Sequence, residues 1–248
     1  MSSKALIPAR GALAAVGFLT LVPVPTVAAE DLPLGRFWFP LVGAGIGAAA
    51  DGVDWALTPL LGRGLGAVAA IATLAVLTGG LHLDGLADSA DGFFGGHSRE
   101  QRLAIMRDSR LGAFGAIAIV VVLLGEFSAL ADLSPGSEVL TLSVAGAISR
   151  WAVVLVLLAL PYARDQGLGV AWRSRWCLLV AVVGTAELVP LVWLGGVGGL
   201  RGLGLAGLAA ILISLLAMRR IGGATGDVYG AVAEACQLMV LVGFVMRG

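Results

Sequence analysis

The chain has 248 residues, of which 58% are hydrophobic and only 13% are charged, and its formal net charge is zero. A soluble domain has roughly 25% charged residues, and a chain of this length cannot hide so much apolar surface inside itself. The composition therefore excludes a disordered chain, a nucleic-acid-binding arm and a disulfide scaffold, and it predicts an all-α protein embedded in a lipid bilayer.

The first apolar stretch, residues 11–22, is too short to cross a bilayer, which takes about 20 residues. It ends at Pro23 and Pro25, which cannot continue a helix. We therefore predict a short interfacial or re-entrant segment. The alternative is a cleavable signal peptide, because Lys4 and Arg10 precede a short apolar run.

Seven later stretches predict membrane-spanning helices, which form one polytopic bundle in a single catalytic domain, residues 1–248. The predicted spans are residues 37–61, 65–83, 111–131, 138–160, 176–195, 202–218 and 228–246. Glycine is frequent, with 37 residues, which is typical of membrane helices that pack closely.

Arginine residues are concentrated on one side of these predicted spans. If segment 84–110 is cytoplasmic, then 161–175 and 219–226 lie on the same side, and 132–137 and 196–201 lie outside. Most arginines are then inside, as the positive-inside rule requires. The sequence thus predicts a multi-pass protein of the inner or plasma membrane whose active site faces the cytoplasm.

The longest polar interruption follows the second predicted span. Asp84, Asp88 and Asp91 are spaced i, i+4, i+7 and therefore share one face of a helix. Like charges at this spacing repel each other unless a cation binds. Carboxylate oxygens suit Mg²⁺ or Mn²⁺, and a pair of such ions can clamp a diphosphate. We predict a metal site here; the alternative is that these aspartates only cap helices beside a solvated loop.

Basic side chains follow the aspartates and are well placed in the sequence to hold phosphate oxygens, which guanidinium groups bind in a bidentate manner. These are Arg99, Arg102, Arg107 and Arg110. His82, beside the acidic face, is a candidate phosphate ligand or acid/base group. An ordinary hydrogen-bonded histidine is an equally good interpretation.

A second polar cluster lies before the last predicted span. Its glycines precede a helix, where free backbone N–H groups form an anion cradle. Thr225 and Asp227 stand in this cluster, and Glu234 lies seven residues after Asp227 inside an apolar segment. An acid there is costly and indicates a function. The alternative is a helix cap at Asp227 and a paired or snorkelling Glu234.

Arg150 lies in the middle of the fourth predicted span, where an unpaired guanidinium costs at least about 2.5 kcal/mol. We expect it to face the bundle interior and to meet an acid or a substrate phosphate. Asp51, Asp54, Glu126 and Glu187 are instead expected at the polar rim, with no chemistry assigned.

These residues resemble those of the cobalamin synthase family, the adenosylcobinamide-GDP ribazoletransferases. The most specific match is the block 79–88 with 91–92. The similarity also covers residues 18–20, 23–25, 39–43, 105–112, 149–150, 162–164, 167–169, 222–223 and 225–227. Leu21 stands where the family often has Arg, and Gln237 where it often has a second Glu, so no role is carried to these two positions.

The resemblance implies an Mg²⁺-dependent reaction. Adenosylcobinamide-GDP and α-ribazole, or its 5′-phosphate, give adenosylcobalamin, or its 5′-phosphate, and GMP. The resemblance also implies metal ligands at Asp84, Asp88 and Asp91, with Asp108 a weaker fourth. The implied phosphate- or substrate-binding residues are Arg107, Arg110, Arg150, Thr225, Asp227 and Glu234. The general base is left open between an aspartate of the cluster and His82.

Expected partners are these two substrates and the lipid bilayer, with no nucleic acid. Association with other cobalamin-pathway enzymes and a homo-oligomer are left open. One alternative is a CDP-alcohol phosphotransferase, because Gly80, Asp84 and Asp88 match the end of that family's motif, although its upstream Asp-Gly-x₂-Ala-Arg element is missing. The other is a cation- or proton-coupled transporter with Arg150 and Glu234 in its pathway, but acids clustered at one membrane face favour an interfacial enzyme.

Overall fold

A computed structural model describes residues 6–133, 138–164 and 177–247, and it confirms the predicted all-α membrane bundle. A 3₁₀ helix, Leu32–Trp38, lies between the first two α-helices. The α-helices are α1 Leu6–Leu19, α2 Phe39–Leu61, α3 Arg63–Thr78, α4 Leu81–Gly95, α5 Arg99–Ile105, α6 Ala113–Ala131, α7 Glu138–Ala159, α8 Cys177–Leu194, α9 Gly196–Ile221 and α10 Gly226–Val245.

Five of these helices are long and apolar enough to cross a membrane: α6, α7 from Leu140 onward, α8, α9 and α10. The pair α3 and α4 passes the same test together but is bent by 88°. Helix α2 carries Asp51 and Asp54 and does not reach that hydropathy. Within the described residues the structure therefore has five helices that could span a membrane, or six with the bent pair, which is roughly consistent with the seven that the sequence predicted.

The bend between α3 and α4 is built from two glycines. Gly79 has φ 62° and Gly80 has φ 70°, in the left-handed region that residues with a Cβ rarely adopt. The predicted span 65–83 therefore ends at Thr78. Because α4 leaves α3 at nearly a right angle and carries three aspartates, we treat it as a polar helix at the membrane border, outside the spanning helices.

Helices α2 and α7 cross with their backbones in contact, and glycine makes this approach possible. A Cβ on Gly43 would collide with the carbonyl oxygen of Gly146, and a Cβ on Gly146 with that of Gly43. One turn further along α2, a Cβ on Gly47 would collide with the carbonyl of Leu142. Small residues at such crossings are what lets membrane helices pack tightly.

Three acids expected at the polar rim are buried, so that expectation was wrong for Asp51, Asp54 and Glu126. The reason for Asp51 is a set of hydrogen-bond donors that the sequence does not reveal. Its carboxylate accepts bonds from the backbone N–H of Leu142 and of Ser143, both at 2.9 Å, and from the Ser143 hydroxyl at 2.7 Å. Asp51 thus stabilises the first turns of α7.

Polar segments from distant parts of the chain meet at one end of the bundle. Arg99 donates from Nε to the carbonyl of Ile221 at 2.9 Å and from Nη2 to that of Ala163 at 2.8 Å. Arg102 donates from Nη1 to the carbonyl of Arg220 at 3.3 Å. The predicted cytoplasmic segments therefore share one end, and Arg99 and Arg102 bind carbonyl groups there, where the sequence suggested phosphate.

Helix α1 leads to this end of the bundle, and its Ala15 and Leu19 are buried in the hydrophobic core. With 14 residues, α1 is shorter than a span, as predicted for the N-terminal segment. At the opposite end, the predicted loop 196–201 instead forms the first turns of α9. Residues 134–137 and 165–176, within two other predicted loops, lie outside the described part of the chain.

Candidate active site

The three aspartates of α4 become progressively less exposed along the helix. Asp84 is exposed, Asp88 is partly buried and Asp91 is buried, with 8% of its surface accessible. The three aspartates therefore share one face of α4, as predicted, but this face runs from the surface at Asp84 into the protein interior at Asp91. The three carboxylates are in different surroundings for this reason.

Asp91 is engaged with the N-terminus of α6. Its Oδ2 accepts a hydrogen bond from the N–H of Gly112 at 2.8 Å, and its Oδ1 accepts one from Gly115 at 2.9 Å. A helix N-terminus leaves such N–H groups without intrahelical partners and favours a negative charge. Capping of α6, one of the two interpretations of the sequence, is what this geometry shows, and metal binding by Asp91 stays a prediction.

Asp91→Ala is expected to lower the free energy of unfolding by about 0.5–2 kcal/mol, the range found for lost helix caps. Thermal unfolding of the detergent-purified protein measures this effect. Asp132→Ala, which removes an exposed carboxylate at the other end of α6, is the control and should leave the melting temperature unchanged. Equal melting temperatures for the two variants would contradict the capping role.

Asp227, at the start of α10, joins the aspartates of α4. Its Oδ2 accepts hydrogen bonds from Nη2 of Arg164 at 2.8 Å and from the hydroxyl of Thr225 at 3.1 Å. The N-cap of α10 is Thr225, whose hydroxyl accepts from the N–H of Val228 at 3.4 Å. Asp227 is therefore not the cap, and its carboxylate is held by Arg164 at the edge of the site.

Two glycines bring α4 and α10 together. A Cβ on Gly85 would lie 2.9 Å from the carbonyl oxygen of Asp227 and 3.1 Å from Cα of Gly230. A Cβ on Gly230 would lie 3.0 Å from the carbonyl oxygen of His82. This close approach holds Asp227 against the helix that carries Asp84.

The carboxylates of the two helices form one electrostatic cluster. Burial and, after it, the neighbouring charges of Asp84, Asp227 and Asp91 together raise the pKa of Asp88 to about 7, while the charge of Arg164 opposes them. An acid in such a cluster gives up its proton more readily when a cation is present. The cluster therefore suits a divalent cation.

Asp88→Asn is expected to stabilise the cation-free protein, and increasingly so as the pH rises. The folded-state pKa of about 7 lies above the unfolded value of about 3.9, so Asp88 makes the wild type lose stability as the pH rises from about 4 to about 7. Melting temperatures in EDTA at pH 5 and pH 8 measure this. A wild type that is as stable as the variant at pH 8 would contradict the repulsion.

The described part of the chain does not form a closed metal cage. Within residues 6–133, 138–164 and 177–247, no group of three His, Cys, Asp or Glu side chains is close enough together to bind a metal ion without other ligands. Mg²⁺ usually binds through one or two carboxylates together with substrate phosphates, and not in an all-protein cage. Asp84 and Asp88 fit that pattern.

Asp108 pairs with Arg110 on the surface, away from the cluster. Nε of Arg110 donates to Oδ1 of Asp108 at 2.9 Å, and this hydrogen bonding lowers the pKa of Asp108 to about 2. Asp108 is not among the charges that act on Asp88. Arg107 is exposed beside this pair. The structure therefore does not bring Asp108 into the carboxylate cluster, and the phosphate roles of Arg107 and Arg110 stay predictions.

Arg150 lies in a buried polar cluster between α6, α7 and α10. Its Nη1 donates to the Ser149 hydroxyl at 2.9 Å and to Oε1 of Gln237 at 2.7 Å. Nε2 of Gln237 in turn donates to Glu126 at 2.8 Å. Glu234 lines the same small cavity of about 10 Å³. Arg150 thus faces the bundle interior, as expected, but its hydrogen-bond partners are a hydroxyl and an amide, where the sequence led us to expect an acid or a phosphate.

This cluster is closed to solvent, since Arg150 is only 2% exposed. The charges of Glu234 and Glu126 both attract the guanidinium, and Glu234 is buried, which favours the paired interpretation of Glu234 over the snorkelling one. Phosphate binding by Arg150 stays a prediction, because a diphosphate would have to enter this closed cavity. Gln237, a departure from the family pattern, is the bridge between Arg150 and Glu126.

Two cavities meet at Asp84. An outer cavity of about 640 Å³ is lined by the glycine bend between α3 and α4, and an inner one of about 150 Å³ lies between α1, α2, α4, α7 and α10. Asp84, Leu81 and Phe18 line both. His82 lines the inner cavity and is buried. An arrangement with one carboxylate between two cavities suits a reaction that joins two molecules.

Comparison with known proteins decides the family. Residues 11–245 match the family described as cobalamin-5-phosphate synthase. The chain belongs to the cobalamin-5-phosphate synthase family. This membership sets aside the CDP-alcohol phosphotransferase and the transporter as alternatives. No solved structure matches the chain.

Relatives in this family cover nearly the whole chain. A protein of Ralstonia pickettii (strain 12J) is 40% identical over 239 residues, 92% of each chain. One of Desulforamulus reducens is 37% identical, again over 92% of each chain, and one of Escherichia coli O17:K52:H18 is 35% identical over 92% of this chain and 96% of its own. All three are named adenosylcobinamide-GDP ribazoletransferase.

In this member of the cobalamin-5-phosphate synthase family, Arg164 is the site residue that the sequence analysis did not select. Its Nη2 binds Asp227, whereas its buried Nε has no hydrogen-bond partner within the described residues. The available signal was the family resemblance at residues 162–164, directly after a predicted span. Spacing alone could not show that Arg164 reaches α10.

Proposed function

We propose that this chain joins adenosylcobinamide-GDP to α-ribazole, or to its 5′-phosphate, and releases GMP. The observation that carries the proposal is the carboxylate cluster of Asp84, Asp88 and Asp227 beside Arg164, at the junction of two cavities. The names of the relatives supply the substrates.

We further propose that Mg²⁺, with Mn²⁺ as a substitute, binds at Asp84 and Asp88 together with the substrate diphosphate. Hard carboxylate oxygens and their mutual repulsion at Asp88 support this assignment. Such an ion neutralises charge on the diphosphate and on its leaving group. The other predicted ligands stay predictions; they are Asp91, Asp108, Arg107, Arg110, Arg150, Thr225 and Glu234.

Phosphoryl transfer depends mainly on positioning of the reacting groups and on neutralisation of their charge. The residues of this chain therefore act by orienting the substrates and by stabilising charge. A ribose hydroxyl of the acceptor attacks the phosphorus on the cobinamide side, a new P–O bond forms, and the P–O bond to GMP breaks. Arg164 offers its Nε–H to a phosphate oxygen while Asp227 fixes its orientation. The hydroxyl proton passes to an aspartate of the cluster or to His82, the candidates for the base.

The test is a product assay with membranes that contain the chain. Adenosylcobinamide-GDP, α-ribazole and Mg²⁺ are incubated together, and chromatography separates the corrinoid product and GMP. The proposal predicts equal amounts of both, and neither when α-ribazole is left out. Release of GMP without a corrinoid product, or CMP release from a CDP-alcohol offered instead, would contradict it.

We also propose that the chain lies in the inner membrane with the carboxylate cluster on its cytoplasmic side. The distribution of arginines supports this orientation. Single cysteines test this in a background without Cys177 and Cys236. Ser98→Cys lies at the end that carries the cluster, and Asp132→Cys lies at the opposite end of α6. In intact cells with a permeabilised outer membrane, an impermeant thiol reagent should label only Asp132→Cys; labelling of Ser98→Cys alone would overturn the orientation.

A further inference from the structure

The inner cavity beside the carboxylates has an apolar, aromatic lining. Phe18 and Phe39 stack with ring centroids 5.7 Å apart and planes within 11°. Leu157 and Val153 of α7 and Tyr229 of α10 add to this apolar wall, and the carboxylates of Asp84 and Asp227 belong to the lining as well. A phosphate or another charged group would lose its hydration in such a place. The cavity is therefore suited to an apolar part of a substrate.

The size of the cavity points to a flat aromatic group. Its volume is about 150 Å³, and a dry apolar cavity of roughly this size in another protein binds benzene. Asp84 also lines the outer cavity of about 640 Å³. A ring system that enters the inner cavity can thus keep its sugar at Asp84.

One buried polar atom in this lining favours an aromatic ring that has a single hydrogen-bonding nitrogen. Nδ1 of His82 is buried and has no hydrogen-bond partner within the described residues. A neutral imidazole nitrogen either donates or accepts one hydrogen bond, so it can pair with a single ring nitrogen. The acidic side chains of the lining are Asp84 and Asp227, and Asp227 is already bonded to Arg164. Guanine presents several polar atoms on its edge, more than His82 alone can pair.

We propose that this inner cavity binds the aromatic base of the acceptor nucleoside, which for ribazole is a benzimidazole, and thereby selects the acceptor. The inference rests on the proposed function, because it takes Asp84 as the place of transfer. The donor nucleotide then occupies the outer cavity, and Asp84 lies between the two. Phe18, Phe39 and Val153 become residues that determine specificity without taking part in the chemistry.

Direct binding of a base tests the inference without any transfer reaction. The probe is 5,6-dimethylbenzimidazole, observed by saturation-transfer difference NMR with the full chain in detergent. Val153→Phe places a ring inside the cavity. Val156→Phe is the matched control, because Val156 lines a separate cavity of about 390 Å³ between α7 and α9. Val153→Leu, a smaller change, provides a graded variant if Val153→Phe does not insert.

Wild type and Val156→Phe are expected to bind the probe, and Val153→Phe is expected to lose the signal, with Val153→Leu between them. In the transfer assay, Val153→Phe should raise KM for α-ribazole at least about tenfold and leave KM for adenosylcobinamide-GDP within about twofold. No binding by the wild type, or a rise in the donor KM alone, would overturn the inference. If the probe binds but no GMP is released, the proposed function fails and the aromatic site remains; the reverse result removes only the site.

Discussion

Replacing Asp84 or Asp88 by asparagine is expected to lower turnover at least about tenfold at saturating Mg²⁺, which corresponds to about 1.4 kcal/mol of transition-state stabilisation. The reason is that each change keeps the shape of the side chain but removes a charge that the proposed cation and diphosphate require. The measurement is the rate of GMP release by purified protein.

Stability separates this role from a purely structural one. Both asparagine variants should be purified in wild-type yield, because the change relieves repulsion in the cluster. Asp132→Asn, an exposed carboxylate at the opposite end of α6, is the matched control and should keep wild-type turnover. Full turnover in both Asp84→Asn and Asp88→Asn would refute the site, and a loss of yield with normal turnover per folded molecule would make the two residues structural.

Arg150→Leu is expected to destabilise the protein by about 3–5 kcal/mol, the typical effect of removing one partner from a buried charged group. The guanidinium is attracted by Glu126 and Glu234, and it donates a hydrogen bond to Gln237. Without it, two acids and one amide oxygen stay buried with poorer partners. Thermal unfolding of the purified variant measures the effect.

A compensating variant distinguishes this cause from a simple packing defect. Adding Glu126→Gln and Glu234→Gln to Arg150→Leu removes the uncompensated charges and should recover part of the lost stability. Arg150→Lys keeps the charge but not the planar fork, so it should unfold at a higher temperature than Arg150→Leu while turning over more slowly than wild type. A stable Arg150→Leu protein would show that the two acids do not depend on this arginine.

The sequence was sufficient to predict the class of fold and the helix face that carries Asp84 and Asp88. Hydropathy identified the apolar helices, because crossing a bilayer requires about 20 apolar residues irrespective of what packs around them. The i, i+4 spacing placed Asp84 and Asp88 on one face, because this relation is internal to a helix. The bend at Gly79 and Gly80 was missed, since glycine permits the left-handed conformation without requiring it.

The partner that each polar side chain binds could not be predicted from the sequence. Asp91 shares a face with Asp88 but caps α6, and Asp51 in the same way stabilises α7. Arg99 binds carbonyl oxygens more than 60 residues away along the chain. Arg164 reaches α10 only because the chain after α7 runs beside it. Such contacts follow from packing between distant segments, which local spacing does not encode.

The dependence of turnover on Mg²⁺ tests most directly whether the carboxylates of α4 bind the cation used in transfer. The Mg²⁺ concentration for half-maximal GMP release is measured at saturating substrates for wild type, Asp88→Asn and the control Asp132→Asn. We expect this concentration to rise at least about tenfold in Asp88→Asn and to stay unchanged in Asp132→Asn, and we expect high Mg²⁺ to restore part of the turnover of Asp88→Asn. An unchanged Mg²⁺ requirement in Asp88→Asn would contradict cation binding by these carboxylates.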